Sequence, residues 1–154
     1  MSNQPIIALT GADTIAVDGI PLTALGKGDV MTGEFPNDCS TVNIGKNGNV
    51  IAALNAEGQK MEVTLRVLRG SGDDVYLNTR EAQFLNDPAG FTCYTGNFVK
   101  RIGAGDGSAR HDNYIAGAGV PKKLVGMKSN VGGETDQAIA EHFITFGQAI
   151  RAIF

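Results

Sequence analysis

Tryptophan is missing from this 154-residue chain, and only two histidines, two cysteines and five prolines are present. Each shortage excludes something. Cys39 and Cys93 stand far apart, too sparse for a secreted disulfide scaffold, so both read as reduced, small apolar side chains. His111 and His142 fall in no HExxH pattern and beside no CxxC pair, which leaves a zinc site without support. There is no GxSxG elbow and no GxxxxGK[ST] loop. Gly103–Gly107 and Gly117–Val120 look superficially like phosphate loops but do not follow the strand, loop, helix plan and read as turn glycines. Acid spacing of the EF-hand type is missing too. The longest strictly apolar run, Val50–Leu54, has five residues, where a bilayer-crossing helix needs about 20. Residues 1–20 show no basic stretch followed by a long apolar one, which predicts synthesis and folding in a cytoplasm. No catalytic residue, metal ligand or cofactor is nominated, and the chain reads as a non-enzyme.

What is abundant is glycine, 21 residues of 154, roughly twice the usual share. With five prolines and no Gly-x-y period, this points to many tight turns between short strands. Apolar residues make up 42% and charged residues 19%, a globular composition. The length suits one domain, 1–154, with residues 1–5 as a polar, flexible arm. Net charge is −3, which argues against a surface built to grip nucleic acid. The charge is uneven: residues 1–98 carry 11 acids and 6 bases (−5), and residues 99–154 carry 5 acids and 7 bases (+2). Such asymmetry suits contact between the acidic part of one molecule and the basic part of another.

Along the chain, Ile6–Leu9 is a short strand candidate, and Asp13–Asp18 with Ile20–Leu25 reads as a small hairpin about Gly19. Val30–Phe35 is the next strand. Thr41–Gly45 and Asn49–Leu54 flank Lys46-Asn47-Gly48, where Asn-Gly predicts a two-residue turn with positive φ at both positions. In Lys60–Arg69, Met61, Val63, Leu65 and Val67 alternate with Lys60, Glu62, Thr64 and Arg66, a strand with one buried face. Val75–Asn86 carries the helical spacing, with Asp73 or Asp74 as its N-cap. Phe91–Ile102 is a strand, and another lies around Tyr114–Ala116. Ala138–Phe154 fits both periods; Gly147 weighs against a helix and favours a strand. The sum is a mainly β (α+β) chain, an antiparallel β-sandwich or barrel with one flanking helix.

The order of these pieces carries a resemblance. Thr14-Ile15-Ala16-Val17-Asp18-Gly19-Ile20-Pro21-Leu22, then Gly28-Asp29-Val30, then Val42 through Gly45-Lys46-Asn47-Gly48-Asn49-Val50, then Met61 through Leu77 together resemble the tail tube proteins of contractile-tailed bacteriophages. The match covers about residues 13–77; residues 91–154 match in outline and lack the C-terminal tryptophan of relatives. The resemblance implies homo-hexameric rings stacked helically into an inner tail tube. Such a tube is a conduit for DNA ejection, sits inside a contractile sheath, and belongs to the virion after assembly in the host cytoplasm. It implies a tail sheath protein, a baseplate and tail terminator proteins as partners, with DNA passing through the lumen unbound. A lumen that passes DNA favours inward-facing acids, which the surplus in residues 1–98 fits. The hairpin tip Gly45, Lys46, Asn47, Gly48 and Asn49 is the candidate contact with the adjacent ring, against the plainer reading of an ordinary solvent hairpin. A tube protein of a bacterial contractile secretion machine, or a β-sandwich carbohydrate- or ligand-binding module, are the alternatives. Scarce aromatics weigh against the last.

Overall fold

Alternation decides the centre of the fold. In the strand Met61–Leu68, side chains 61, 63, 65 and 67 are buried and those between them are not. Burying a Val, Leu or Met side chain contributes about 1.5–3 kcal/mol, so a one-residue slip would forfeit the set. The computed structural model describes residues 7–11, 13–26 and 28–154. The strands are β1 (Ala8–Leu9), β2 (Thr14–Val17), β3 (Ile20–Pro21), β4 (Met31–Glu34), β5 (Ser40–Ile44), β6 (Val50–Leu54), β7 (Met61–Leu68), β8 (Tyr94–Gly103), β9 (Ala109–Lys123) and β10 (Ile139–Ile153). The helix α1 spans Gly72–Asn86, and short 3-10 turns cover Ala56–Gln59 and Thr135–Ala138. The expected arm, residues 1–5, and Ile6 of the first expected strand lie outside the described residues.

The protein is mainly β and antiparallel with one flanking helix, as the sequence predicts. Eight strands form a single sheet in the order β3-β2-β8-β9-β10-β7-β4, with β1 also on β8, and β5-β6 stand as a separate two-stranded sheet. The large sheet curls. A cavity of about 230 Å³ is lined jointly by β2 and β4, which lie near its opposite ends, over a floor of Ile15, Met61 and Phe98. Phe35, just past β4, packs on Tyr114 of the central β9, ring centroids 6.2 Å apart. The core inside the curl joins Val17, Leu65, Val67, Tyr94, Ile144 and Phe146 to Leu77 of α1.

The helix begins differently from the sequence reading. Its N-cap is Ser71, not Asp73 or Asp74: the Ser71 hydroxyl accepts from the Asp74 backbone N–H. The two aspartates occupy the first turn and turn outward to other partners, Asp73 to the backbone N–H groups of Thr23 and Ala24 at 2.8 and 2.7 Å, Asp74 to that of Gly70. A hydroxyl has the short reach a cap needs, which frees the carboxylates to hold neighbouring segments against the helix.

The stretch Ala138–Phe154 resolves as a strand over Ile139–Ile153, not a helix, but not as a uniform one. From Ala140 to Phe146 the even-numbered side chains are buried; past Gly147 the phase flips, Ala149 is buried and Ile150 is exposed. On β9, Ala118 faces this break with φ +54°, and β8 pairs Tyr94 with Gly119 but Gly96 with Ala116, so β9 carries one extra residue. This bulge bends the sheet and re-aims the second half of β10. β9 also runs longer than the sequence suggests, and its Pro121 lies past its last β8 partner, an edge position where a strand tolerates proline.

Candidate assembly surface

Among the described residues, the β5–β6 hairpin stands apart from the large sheet. Every residue of β6 is exposed, and so is β5 from Thr41 to Ile44. Val42, Ile44, Val50, Ile51 and Leu54 all face solvent, Leu54 at 86% and Val50 at 67% exposure. A two-stranded ribbon is marginal in water, and a long apolar one is a template for association.

The root of the hairpin, by contrast, is clamped. Asn55 donates from its backbone to Cys39 O at 2.9 Å and from its side chain to Asp38 O at 2.9 Å, and Asn37 reaches Glu57 O. Gly58 sits so close that a Cβ there would lie 2.4 Å from Cys39 Cα. The arm therefore leaves the body in a fixed direction.

At the tip, Gly45, Lys46, Asn47, Gly48 and Asn49 do form the turn, but not the two-residue turn predicted. Gly48 N–H bonds Gly45 O at 3.0 Å and Gly45 N–H bonds Asn49 O, so Lys46 and Asn47 are the central pair. Gly48 alone takes positive φ, +78°. This is a three-residue loop closed by a left-handed glycine, and the Asn-Gly signal is shared between the two kinds of turn.

A second apolar surface lies on the outer face of the large sheet. Ile115 and Ile150 are direct cross-strand partners, 55% and 63% exposed. Their row continues through Asn97 to the buried Ala16, and the next row reads Thr14, Val99, the buried Asn113, Ala152. No charged side chain stands in either row. The sequence hid this surface, because the apparent alternation Ile144, Phe146, Ile150 runs through the flip at Gly147.

The helix is fastened to the sheet by charged groups that spacing does not reveal. Asp18, at φ +54°, accepts from Tyr76 Oη at 2.8 Å, Arg80 Nε at 3.1 Å and Thr95 N–H at 3.0 Å. Arg80 also covers the rings of Phe91 and Tyr94. Burial and the adjacent Asp18 carboxylate hold the Tyr76 phenol above its usual range, and burial does the same to Tyr94. His142, buried on β10, meets Asp74, with Glu81 3.9 Å from its other nitrogen. Burial raises the Glu81 carboxyl above its usual 4.5, opposed by His142 and the Val125 backbone N–H. These groups stand on α1 and β10, and α1 covers them. His111 lies elsewhere, stacked on Phe154.

Among the described residues, no three His, Cys, Asp or Glu side chains are grouped so as to hold a metal. No helix among them is long and apolar enough to cross a membrane. No family model and no curated protein matches this chain. The surfaces themselves therefore carry the functional argument.

Proposed function

We propose that this protein is a structural subunit that assembles with copies of itself. Its hexameric rings stack as the inner tail tube of a contractile-tailed bacteriophage, a conduit for DNA ejection inside a sheath. The observation that carries the reading is the β5–β6 hairpin, rooted firmly, with Val42, Ile44, Val50, Ile51 and Leu54 exposed and, among the described residues, paired with no other strand. An arm of this kind gains its stability from a neighbour. At about 25 cal/mol per Å² of apolar surface, covering such side chains supplies a sizeable drive for association. Heterologous contacts of arm to body close into rings, and stacked rings form open helices. The order of motifs over residues 13–77 supports the tail-tube form of assembly. On this reading the tail sheath, baseplate and terminator proteins are partners, and the protein resides in the virion.

Negative-stain electron microscopy at rising protein concentration tests this. Hollow rods or rings of constant diameter are expected. A monodisperse monomer at every concentration, with assembly also failing on preformed tail initiators, overturns it.

A further inference from the structure

We propose that the Gln148–Ile153 half of β10, with the uncharged outer rows beside it, receives the β5–β6 hairpin of a second copy of this chain by strand addition; this rests on the self-assembly reading above. β7 pairs with β10 only from Ile139 to Phe146. Beyond that point β10 continues on β9 alone, and among the described residues no strand pairs with its other edge.

The direction of that edge follows from one pair. Phe154 and His111 exchange both backbone hydrogen bonds. Antiparallel bonds alternate with period two, so the N–H and C=O groups of Ala149, Arg151 and Ile153 point away from β9, to the open side. Sheet edges are normally guarded by a lysine, a proline or a bulge. Here the one charged residue on the edge, Arg151, is engaged in a bidentate pair with Asp112 at 2.8 and 3.0 Å. Ile150 and Ile153 are left exposed.

The hairpin suits this edge in length, charge and chemistry. β6 offers five residues to an edge of six, with no polar side chain among them. From Ser40 to Leu54 the sole charge is Lys46, at the tip, and the receiving rows carry none; Arg151, the one charge on the receiving edge, is already paired with Asp112, so no unpaired ionic group is stripped of water on contact. Backbone bonds supply affinity, and Ile150, with Ile115 behind it on β9, meets the alternate apolar side chains of the incoming strand. Donor and acceptor surfaces are different parts of one molecule, so the contact repeats from copy to copy.

The test uses the full chain with Cys39→Ser and Cys93→Ser, which removes the two exposed native thiols. Ile51→Cys and Ile150→Cys are then introduced together and singly, and assemblies are oxidised mildly and run on non-reducing gels. The chain carrying both is expected to give ladders of disulfide-linked multimers, and an equimolar mixture of the two single variants a mixed dimer. Independently, Ile150→Lys, at an exposed position, is expected to raise the concentration needed for sedimentation about tenfold or more while leaving the thermal melt of the monomer in place. Rods that form normally with Ile150→Lys, together with no disulfide between the two introduced thiols, overturn the receiving surface while leaving self-assembly intact. No assembly and no link at any concentration overturns both.

Discussion

His142 Nε2 lies 2.7 Å from Asp74 Oδ1, joining the buried face of β10 to the first turn of α1. The same Asp74 accepts from Gly70 N–H through its other oxygen, at 2.8 Å. One carboxylate thus satisfies a buried imidazole and a backbone donor at the entry to the helix. Asp74→Ala leaves both without that partner. Stripping a buried group of its hydrogen bond costs about 1–3 kcal/mol. The urea midpoint should fall accordingly at unchanged slope, and a midpoint equal to that of the wild type would show that water replaces the carboxylate at no cost.

Glu81 carries the pH dependence of the same contact. Burial raises its carboxyl above 4.5, the ordinary value it regains when the chain unfolds. The folded chain therefore binds this proton more tightly than the unfolded one. Its contribution to stability is fully present below about 4.5 and is lost as the pH rises through the raised folded value. Glu81→Gln fixes a neutral, nearly isosteric side chain and removes that loss, with Asp74 and His142 present in both proteins. The melting temperature of the variant should exceed that of the wild type near neutral pH, and the two should converge toward pH 4.5. Parallel curves across the range would contradict this.

Gly119 and Gly117 sit two residues apart on β9 and make opposite predictions. A Cβ at Gly119 would lie 2.6 Å from Cε1 of Phe146 and 2.8 Å from Cβ of Tyr94, both rings wholly buried. Gly119→Ala should cost about 1–3 kcal/mol by overpacking. A Cβ at Gly117 meets nothing within 4 Å, so Gly117→Ala should be neutral or slightly stabilising. Chemical denaturation of the two variants side by side separates close packing from a general intolerance of side chains at the bulge.

These residues also show where the sequence is legible. Met61, Val63, Leu65 and Val67 announce their strand because one face is buried along its whole length, and period two then survives intact. The hairpin about Asn47-Gly48 is equally readable, because turn chemistry is local, though which turn forms depends on the bond between Gly45 and Asn49. Ser71 was hidden as a cap by the two acids that follow it, whose partners Thr23, Ala24 and His142 are set by tertiary folding. The exposed pair Ile115 and Ile150 was hidden for a similar reason. A bulge at Ala118 reverses the phase of two neighbouring strands, and a pattern read along one strand cannot register an insertion in the next. Glu81, Asp74 and His142 meet through the fold alone, with no spacing to betray them.

Asp18 is the second fastening of the helix and tests whether charge or conformation matters there. It holds three donors from a left-handed backbone position, φ +54°. Asp18→Asn keeps an acceptor and a residue that tolerates that conformation, losing the ionic component to Arg80. Asp18→Ala loses all three bonds and adds backbone strain. The Ala variant should therefore lose about 2–3 kcal/mol, and the Asn variant clearly less. Equal losses in urea unfolding would place the whole effect on the Arg80 pair.

The hairpin tip separates assembly from folding. Lys46, Asn47 and Gly48 are exposed, and the root of the hairpin is held by Asn55 and Asn37 well away from the tip. Asn47→Tyr with Gly48→Tyr adds two rings at the end of the arm and strains the left-handed position of residue 48. That strain, about 1–2 kcal/mol, falls on a ribbon that contributes nothing to the core, so the melting of the body should barely move. Stacking is another matter, because a tip that enters a neighbouring ring has to fit it. The variant should remain folded and yield single rings or short stacks, counted by negative stain against rods of the unaltered protein. Rods of normal length would show that the tip stays in solvent and that the contacts between copies are made along the flanks of the hairpin alone.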